Sequence, residues 1–393
     1  MKQFTIPFTY RSSLIADIKQ KRKLADKMKK DFTPSLLEFE GLKIYLARHF
    51  GFCYGVENAI EIAFKTIEEN AGKRIFLLSE MIHNPKVNAD LINLGVTFLQ
   101  DTKGNQLIDF SELNEDDVVI IPAFGTTLNI ENKLKESGIK IEKYNTTCPF
   151  VEKVWNRSEQ IAKQGFSIIV HGKPSHEETR ATFSHASSAA PTLVINDMQE
   201  AQILAKFISG ELPINVFDNF FEGRYSENFI PEKSLDKIGV VNQTTMLAAE
   251  TQGISDFLKS VMAAKYPENT SLHFADTRDT LCYATNDNQS AVYGLLEQEA
   301  DIAIVVGGYN SSNTSHLVEL CEAKLPTYFI KDESKIISQN IISHFDLRNK
   351  IEKISENYLH ADGEKRILLT AGASCPDAVV ESVILKLKEL FSV

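Results

Sequence analysis

Three cysteines set the frame of this chain. Cys53, Cys148 and Cys282 each open a stretch of the same design: FCYGVENAIEIAFKTIEENAGKRIFLLSEMIHN, TCPFVEKVWNRSEQIAKQGFSIIVHGKPSHEET and LCYATNDNQSAVYGLLEQEADIAIVVGGYNSSN. After each cysteine, apolar residues recur at helical spacing: Val56, Ile60, Ala63 and Ile67; Val151, Val154, Trp155 and Ile161; Val292, Leu295 and Leu296. A short apolar run follows, RIFLL, FSIIV or DIAIVV, and then a polar loop. From cysteine to loop the distance is 30 residues (Cys53 to His83), 28 (Cys148 to His176) and 29 (Cys282 to Ser311). Residue identity shows no repeat, but organisation at a fixed period marks one.

A second half-pattern follows each of these. VVIIPAFGTTLNIENKL, IGVVNQTTMLAAETQGI and RILLTAGASCPDAVVESVIL each read as a strand, a loop of small residues and a helix. Strand-like stretches also lead into the cysteines: IYLARHFGFC, IEKYNTTC and SLHFADTRDTLC. The expected fold is α/β: three similar α/β domains in pseudo-threefold arrangement. They span 44–147 (Cys53), 148–281 (Cys148) and 282–393 (Cys282, with the C-terminal helix), after an N-terminal extension of residues 1–43. In open α/β sheets, ligands sit beyond the carboxyl ends of the strands. A common axis would bring three cysteines and six polar loops to one place.

Charge and cysteine usage exclude several classes. A net charge of −11 argues against non-specific nucleic-acid binding, which needs a basic face. The one basic stretch, residues 16–32, reads as a solvated helix face. Asp17, Asp26 and Asp31 interrupt it, which weighs against an organellar transit peptide. No apolar run approaches the ~18 residues of a membrane helix. MKQFTIPFTYRSS lacks the apolar core of a signal peptide. The expected location is therefore the cytoplasm, with the plastid stroma the lesser alternative. Five widely spread cysteines do not suggest a disulfide framework, and no two stand at CxxC spacing.

Cys321, in the helical stretch HLVELCEAKL, reads as a buried small hydrophobe, and Cys375 as a bystander outside the repeat. Three thiolates suit zinc with an open fourth position, or an iron–sulfur cluster with one iron not bound by protein. Spacing does not decide between the metals. The loops offer His83; His176, Glu177 and Glu178; Ser311, Ser312 and Asn313; Thr126 and Thr127; Thr244 and Thr245; and Ser374. Hydroxyls, imidazoles and amides at helix starts form an anion-binding inventory, better suited to a phosphate or diphosphate than to a metal. N-capping is the alternative reading for the Thr pairs, and a solvated helix start for the His-Glu-Glu run.

Taken together, FGFCYGV, His83-Asn84, TTCPFVEKVW, HGKPSHEET, NQTT, LCYAT, NSSN and TAGAS resemble the 4-hydroxy-3-methylbut-2-enyl diphosphate reductases, the terminal enzymes of non-mevalonate isoprenoid synthesis. The resemblance runs from about residue 44 to about residue 380, in the family's order. It implies three α/β domains around a central [4Fe–4S] cluster held by Cys53, Cys148 and Cys282, with one open iron site for the substrate hydroxyl. It implies removal of that hydroxyl as water with two electrons and two protons, through an allyl-type intermediate, giving isopentenyl and dimethylallyl diphosphates. By the same resemblance, Glu178 rather than Glu177 is the proton donor. Thr244, the other catalytic residue, lies by the substrate hydroxyl, with Thr245 nearby as a substrate contact. His83, His176, Ser311, Ser312, Asn313 and Ser374 contact the diphosphate.

The chain shows no GxGxxG and no flavin motif, so electrons are expected from a reduced ferredoxin or flavodoxin. A non-enzymatic iron–sulfur or zinc sensor, and a zinc-dependent phosphate-ester hydrolase using Glu178, are the rival readings. Two positions depart from the family pattern: Phe124 stands where many members carry histidine, and Asn288 where many carry arginine.

Overall fold

The computed structural model describes residues 4–28, 30–275, 279–359 and 363–391. The N-terminal part holds α1 (Ser13–Ala25), β1 (Ser35–Phe39), β2 (Leu42–Leu46), α2 (Tyr54–Glu69), β3 (Ile75–Leu77), α3 (Pro85–Asn93), β4 (Thr97–Phe98), β5 (Val118–Ile120) and α4 (Leu128–Glu136). The middle adds α5 (Pro149–Lys163), β6 (Ser167–His171), α6 (Glu177–Ser187), β7 (Thr192–Ile195) and α7 (Met198–Ser209). After them come the single turns α8 (Asp218–Phe221) and α9 (Pro231–Ser234), β8 (Ile238–Asn242), α10 (Ala248–Lys265) and the turn α11 (Thr270–His273). The C-terminal part holds α12 (Tyr283–Leu295), β9 (Ile302–Val306), α13 (Ser312–Glu322), β10 (Thr327–Ile330), β11 (Ile341–Asp346), β12 (Ile351–Glu356), β13 (Lys365–Ala371) and α14 (Asp377–Phe391).

RIFLL, FSIIV and DIAIVV form β3, β6 and β9. Every residue of these strands is buried, as continuous apolar runs in covered parallel sheets require. Three α/β sheets result, ordered β4-β3-β5, β7-β6-β8 and β10-β9-β13-β2-β1. All neighbours in them are parallel except the β1–β2 pair. In each sheet the strand carrying the first polar loop lies between an outer strand and the strand carrying the second loop. A separate antiparallel pair, β11–β12, completes the strands.

The strand-like stretches before the cysteines behave unequally. IYLARHFGFC contains β2, parallel to β13. IEKYNTTC instead folds as a 3-10 turn, Ile141–Tyr144, with one parallel bridge between Asn145 and Ile121. Its buried apolar residues, Ile141 and Tyr144, stand three apart, a helical spacing rather than an alternating one. SLHFADTRDTLC gives the turn α11 and a parallel bridge between Phe274 and Ile238, while 276–278 lie outside the described residues.

By compactness the chain divides into two units. One comprises Met1–Glu61, Ile82–Asp90 and Tyr283–Val393; the other comprises Ile62–Met81 and Leu91–Cys282. The boundaries 44–147, 148–281 and 282–393 follow chain order; the sheets do not, since β2 pairs with β13 from the far end of the chain. In the first unit the described residues form a core in which Ile44, Leu46, Val305 and Leu369 of the sheet meet Ile384 of α14 and Ile15 of α1. The second unit has separate cores around its two sheets, one of them joining Ile169, Val240, Leu204 and Leu258.

The basic stretch is only partly a solvated face. Lys19 of α1 pairs with Asp377 at 2.7 Å and lies over the Phe50 ring. Lys29 lies outside the described residues.

Candidate active site

In the first unit, the two glycines of VVGGYNSSNTSHL have steric causes. A Cβ on Gly307 would meet Thr314 Oγ1 at 2.7 Å, and one on Gly308 would press into the backbone carbonyl of His83. The loop is exposed at Asn310, but residues Ser311 to His316, its end and the start of α13, are all buried. Ser311 is the N-cap of α13, its Oγ accepting from the N–H and the hydroxyl of Thr314. The carbonyl of His83 also accepts from the Ser374 hydroxyl at 3.2 Å. His83, the 307–313 loop and Ser374 are thus brought together. Cys53 joins them through its backbone N–H, which donates to the carbonyl of Ala373 at 3.2 Å, while the Ala373 N–H donates to Asn313 Oδ1 at 2.9 Å.

The second unit repeats this pattern with different side chains. His176 caps α6, its Nδ1 accepting from the Glu178 N–H at 3.2 Å. Accepting there fixes the ring proton on Nε2, which becomes a donor. A Cβ on Gly172 would meet Thr179 Oγ1 at 2.7 Å, the counterpart of the Gly307–Thr314 approach. The Thr244 N–H donates to Glu178 Oε1 at 2.5 Å, and the Cys282 N–H donates to the Thr244 carbonyl at 3.1 Å. Glu178 therefore holds the place of Asn313, two residues past the cap. Both glutamates of the His-Glu-Glu run are buried, so it is not a solvated helix start. Glu177 accepts instead from Ser79 at 2.5 Å.

A third copy of the backbone pattern surrounds Cys148. Its N–H donates to the Ala123 carbonyl at 2.9 Å, and the Ala123 N–H donates to the Met81 carbonyl at 3.3 Å. In the first polar loop the capping oxygen belongs to Asn84, which accepts from the Val87 N–H. His83 thus stands one residue before the cap, not at the place of His176. The Thr pairs divide: Thr127 caps α4, whereas Thr244 and Thr245 precede α10, whose N-cap is Leu247. Phe124 packs edge-on against the His176 ring at 5.6 Å.

Sequence reasoning missed Gln243, which is fully buried. Its Oε1 accepts from the Lys173 N–H and Thr179 Oγ1, and its Nε2 donates to Thr245 Oγ1 at 2.7 Å. It also missed Thr179 and Thr314. A signal was present, because each stands seven residues after a glycine that ends an apolar strand.

The three repeat cysteines form no disulfide and are partly exposed at the starts of α2, α5 and α12, whereas Cys321 and Cys375 are buried. Burial pushes the Cys148 thiol up to about 12; the N–H groups of Phe150 and Val151 oppose this, while neighbouring Cys282 and Glu178 add to it. Such a thiol becomes a thiolate through a bound metal cation rather than through the protein alone. The donor set, three accessible thiols without disulfides, fits an iron–sulfur cluster. Among the described residues, no group of three His, Cys, Asp or Glu side chains stands close enough to hold a single metal ion. The cysteines are ligand candidates by chemistry and position.

Parallel sheets flanked by helices, with buried hydroxyl, amide and imidazole side chains in the loops after the strands, define the class as an open-sheet α/β protein. The chain belongs to the LytB protein family, whose model matches residues 44–388. A relative from Synechococcus sp. (strain RCC307), named 4-hydroxy-3-methylbut-2-enyl diphosphate reductase, is 41% identical over 349 residues, 88% of this chain and 84% of that protein. One of the same name from Prochlorococcus marinus (strain MIT 9313) is 40% identical over 385 residues, 98% of this chain and 91% of that protein. The fold is similar to that of a solved (E)-4-hydroxy-3-methyl-but-2-enyl diphosphate reductase, with TM-score 0.52 and 24% identity over 88% of this chain and 99% of the other. It is also similar to the E-1-hydroxy-2-methyl-but-2-enyl-4-diphosphate reductase from Plasmodium falciparum, with TM-score 0.63 and 22% identity over 88% of this chain and 87% of the other. Among the described residues, no helix is long and apolar enough to cross a membrane.

Proposed function

We propose that this chain is a 4-hydroxy-3-methylbut-2-enyl diphosphate reductase. It removes the 4-hydroxyl as water, with two electrons and two protons, and yields isopentenyl and dimethylallyl diphosphates. The observation that carries the reading is the Thr244 backbone: its N–H meets the Glu178 carboxyl and its carbonyl meets the N–H of Cys282. The backbone of one residue thus ties an acid to a candidate metal ligand. Family membership over residues 44–388 supports the substrate class.

A [4Fe–4S] cluster held by Cys53, Cys148 and Cys282, one from each of three α/β domains, would supply single electrons and an open iron site. Glu178 holds and gives a proton. Its Oε1 is anchored by the Thr244 N–H, so the proton resides on Oε2 and passes to the leaving oxygen. Thr245 Oγ1 accepts from Gln243, which turns its own proton outward beside Thr244 toward the substrate hydroxyl. The diphosphate is bound by donors: His83, His176 through Nε2–H, Ser311, Ser312, Asn313 and Ser374. Ser374 turns its proton from the His83 carbonyl to the ligand. Electrons come from reduced ferredoxin or flavodoxin in the cytoplasm.

Anaerobic turnover of the diphosphate substrate with a chemical one-electron donor tests the reading. Formation of both C5 diphosphates supports it. A colourless, zinc-loaded protein that releases phosphate would establish the hydrolase instead. A cluster-loaded protein without turnover would point to the sensor.

A further inference from the structure

We infer that Asn288 is a positioning residue: it fixes the orientation of the Asn313 amide and so turns the Asn313 NH2 group toward the diphosphate. This rests on the proposed function and names a residue that reading does not include. Asn288 lies on α12 and is buried, 4% exposed. Its Nδ2 donates to Asn313 Oδ1 at 3.3 Å, and the Ala373 N–H donates to the same oxygen at 2.9 Å. An amide has one acceptor end and one donor end. With two donors on Oδ1, the flipped amide would set its NH2 against the Ala373 N–H and lose that bond, and would keep the Asn288 contact only if the Asn288 amide turned as well. The Asn313 Nδ2 therefore points away from both.

A second observation says what it points toward. Asn313 is 4% exposed and Ser312 3% exposed, yet Asn313 Nδ2 and Ser312 Oγ have no hydrogen-bond partner among the described residues. Buried polar atoms are satisfied in folded proteins, so two adjacent orphans mark a ligand. Ser311 adds a third group. Its oxygen accepts twice from Thr314, which leaves its own proton to be given elsewhere. Two hydroxyls and an amide NH2 at the N-terminus of an eleven-residue helix form a donor-rich cradle for an anion. Asn288, together with the Ala373 N–H, sets whether Asn313 presents a donor or an acceptor to that cradle.

Asn288→Asp puts an acceptor where the donor stood, at nearly unchanged volume. Binding of inorganic diphosphate to the cluster-loaded enzyme, measured anaerobically by calorimetry, should weaken by about tenfold to a hundredfold, the scale for losing a hydrogen bond to a charged group. KM for the substrate should rise with it while kcat changes far less. In an Asn313→Ala background the same substitution should have little further effect, because the amide it orients is gone. An equal loss in both backgrounds would show a merely structural role and overturn the inference, as would wild-type affinity in the single variant. Asn288→Ala removes the donor without adding an acceptor and should weaken binding less than Asn288→Asp. If the aspartate variant fails to fold, the alanine variant carries the cycle alone: no loss, or a loss undiminished by Asn313→Ala, overturns the inference. A wild type that binds diphosphate but does not reduce the allylic substrate overturns the proposed function and leaves this cycle standing.

Discussion

The backbone N–H of Thr244 meets Glu178 Oε1 at 2.5 Å, and the backbone N–H of Ala373 meets Asn313 Oδ1 at 2.9 Å in the same relation. Glu178 and Asn313 each stand two residues beyond a helix cap, His176 in one case and Ser311 in the other. Each is tied, through the backbone of the residue it touches, to the N–H of a cysteine. The same backbone device thus carries a carboxyl in one repeat and an amide in another. The first suits giving a proton, and the second suits holding an anion.

Glu178→Gln keeps an acceptor oxygen for the Thr244 N–H, so the loop should hold its shape. The variant should retain its cluster spectrum and bind inorganic diphosphate as the wild type does. Turnover should fall roughly 10²-fold or more, the scale for a positioned acid. Full activity in this variant would remove Glu178 from the proton path.

Cys148→Ser and Cys321→Ser should separate ligand from core. Cys148 is partly exposed at the start of α5, whereas Cys321 is buried in α13. The first variant should lose iron and visible absorption after anaerobic reconstitution. The second should keep both and lose stability, because a hydroxyl replaces a buried thiol. Equal iron content in Cys148→Ser and wild type would take Cys148 out of the ligand set.

How far the sequence spoke depended on the kind of force involved. The apolar runs behind β3, β6 and β9 were legible because burial on both faces leaves a continuous hydrophobic signature. The segments before Cys148 and Cys282 were not, since single bridges such as Ile121 to Asn145 need no run of apolar residues. Pairing of β2 with β13 is a long-range register that no local pattern encodes. At the candidate site, residue types at loop positions singled out His176, Glu178 and Asn313, and the structure buries the last two. Gln243 stayed hidden, and Asn288 showed only as a departure from the family pattern, because hydrogen bonds between buried side chains leave no mark in spacing.

Gly308→Ala probes the loop from its backbone. The added methyl would collide with the His83 carbonyl, which cannot withdraw as a flexible side chain would. Overpacking of this kind costs about 1–3 kcal/mol. The denaturation midpoint should fall accordingly, and KM for the diphosphate should rise, since His83, Ser374 and the 311–313 turn share this contact region. Wild-type stability together with wild-type KM would show that the approach is not constraining.

Acid should weaken the first unit through His344. Burial holds this imidazole neutral and lowers it from its ordinary 6.5 to about 4, with Lys353 adding to the effect and Asp346 opposing it. His344 is 6% exposed, and its Nε2 lies 2.8 Å from the Ser355 hydroxyl. Because the folded value lies below the unfolded one, the unfolded chain binds the extra proton first. The contribution is complete above about pH 6.5 and is lost as pH falls toward 4, by at most about 3 kcal/mol. His344→Gln keeps a polar partner for Ser355 and removes the titration. Urea midpoints at pH 7 and near pH 4.5 should therefore differ less in the variant than in the wild type. An equal acid loss in both proteins would assign the effect to other groups.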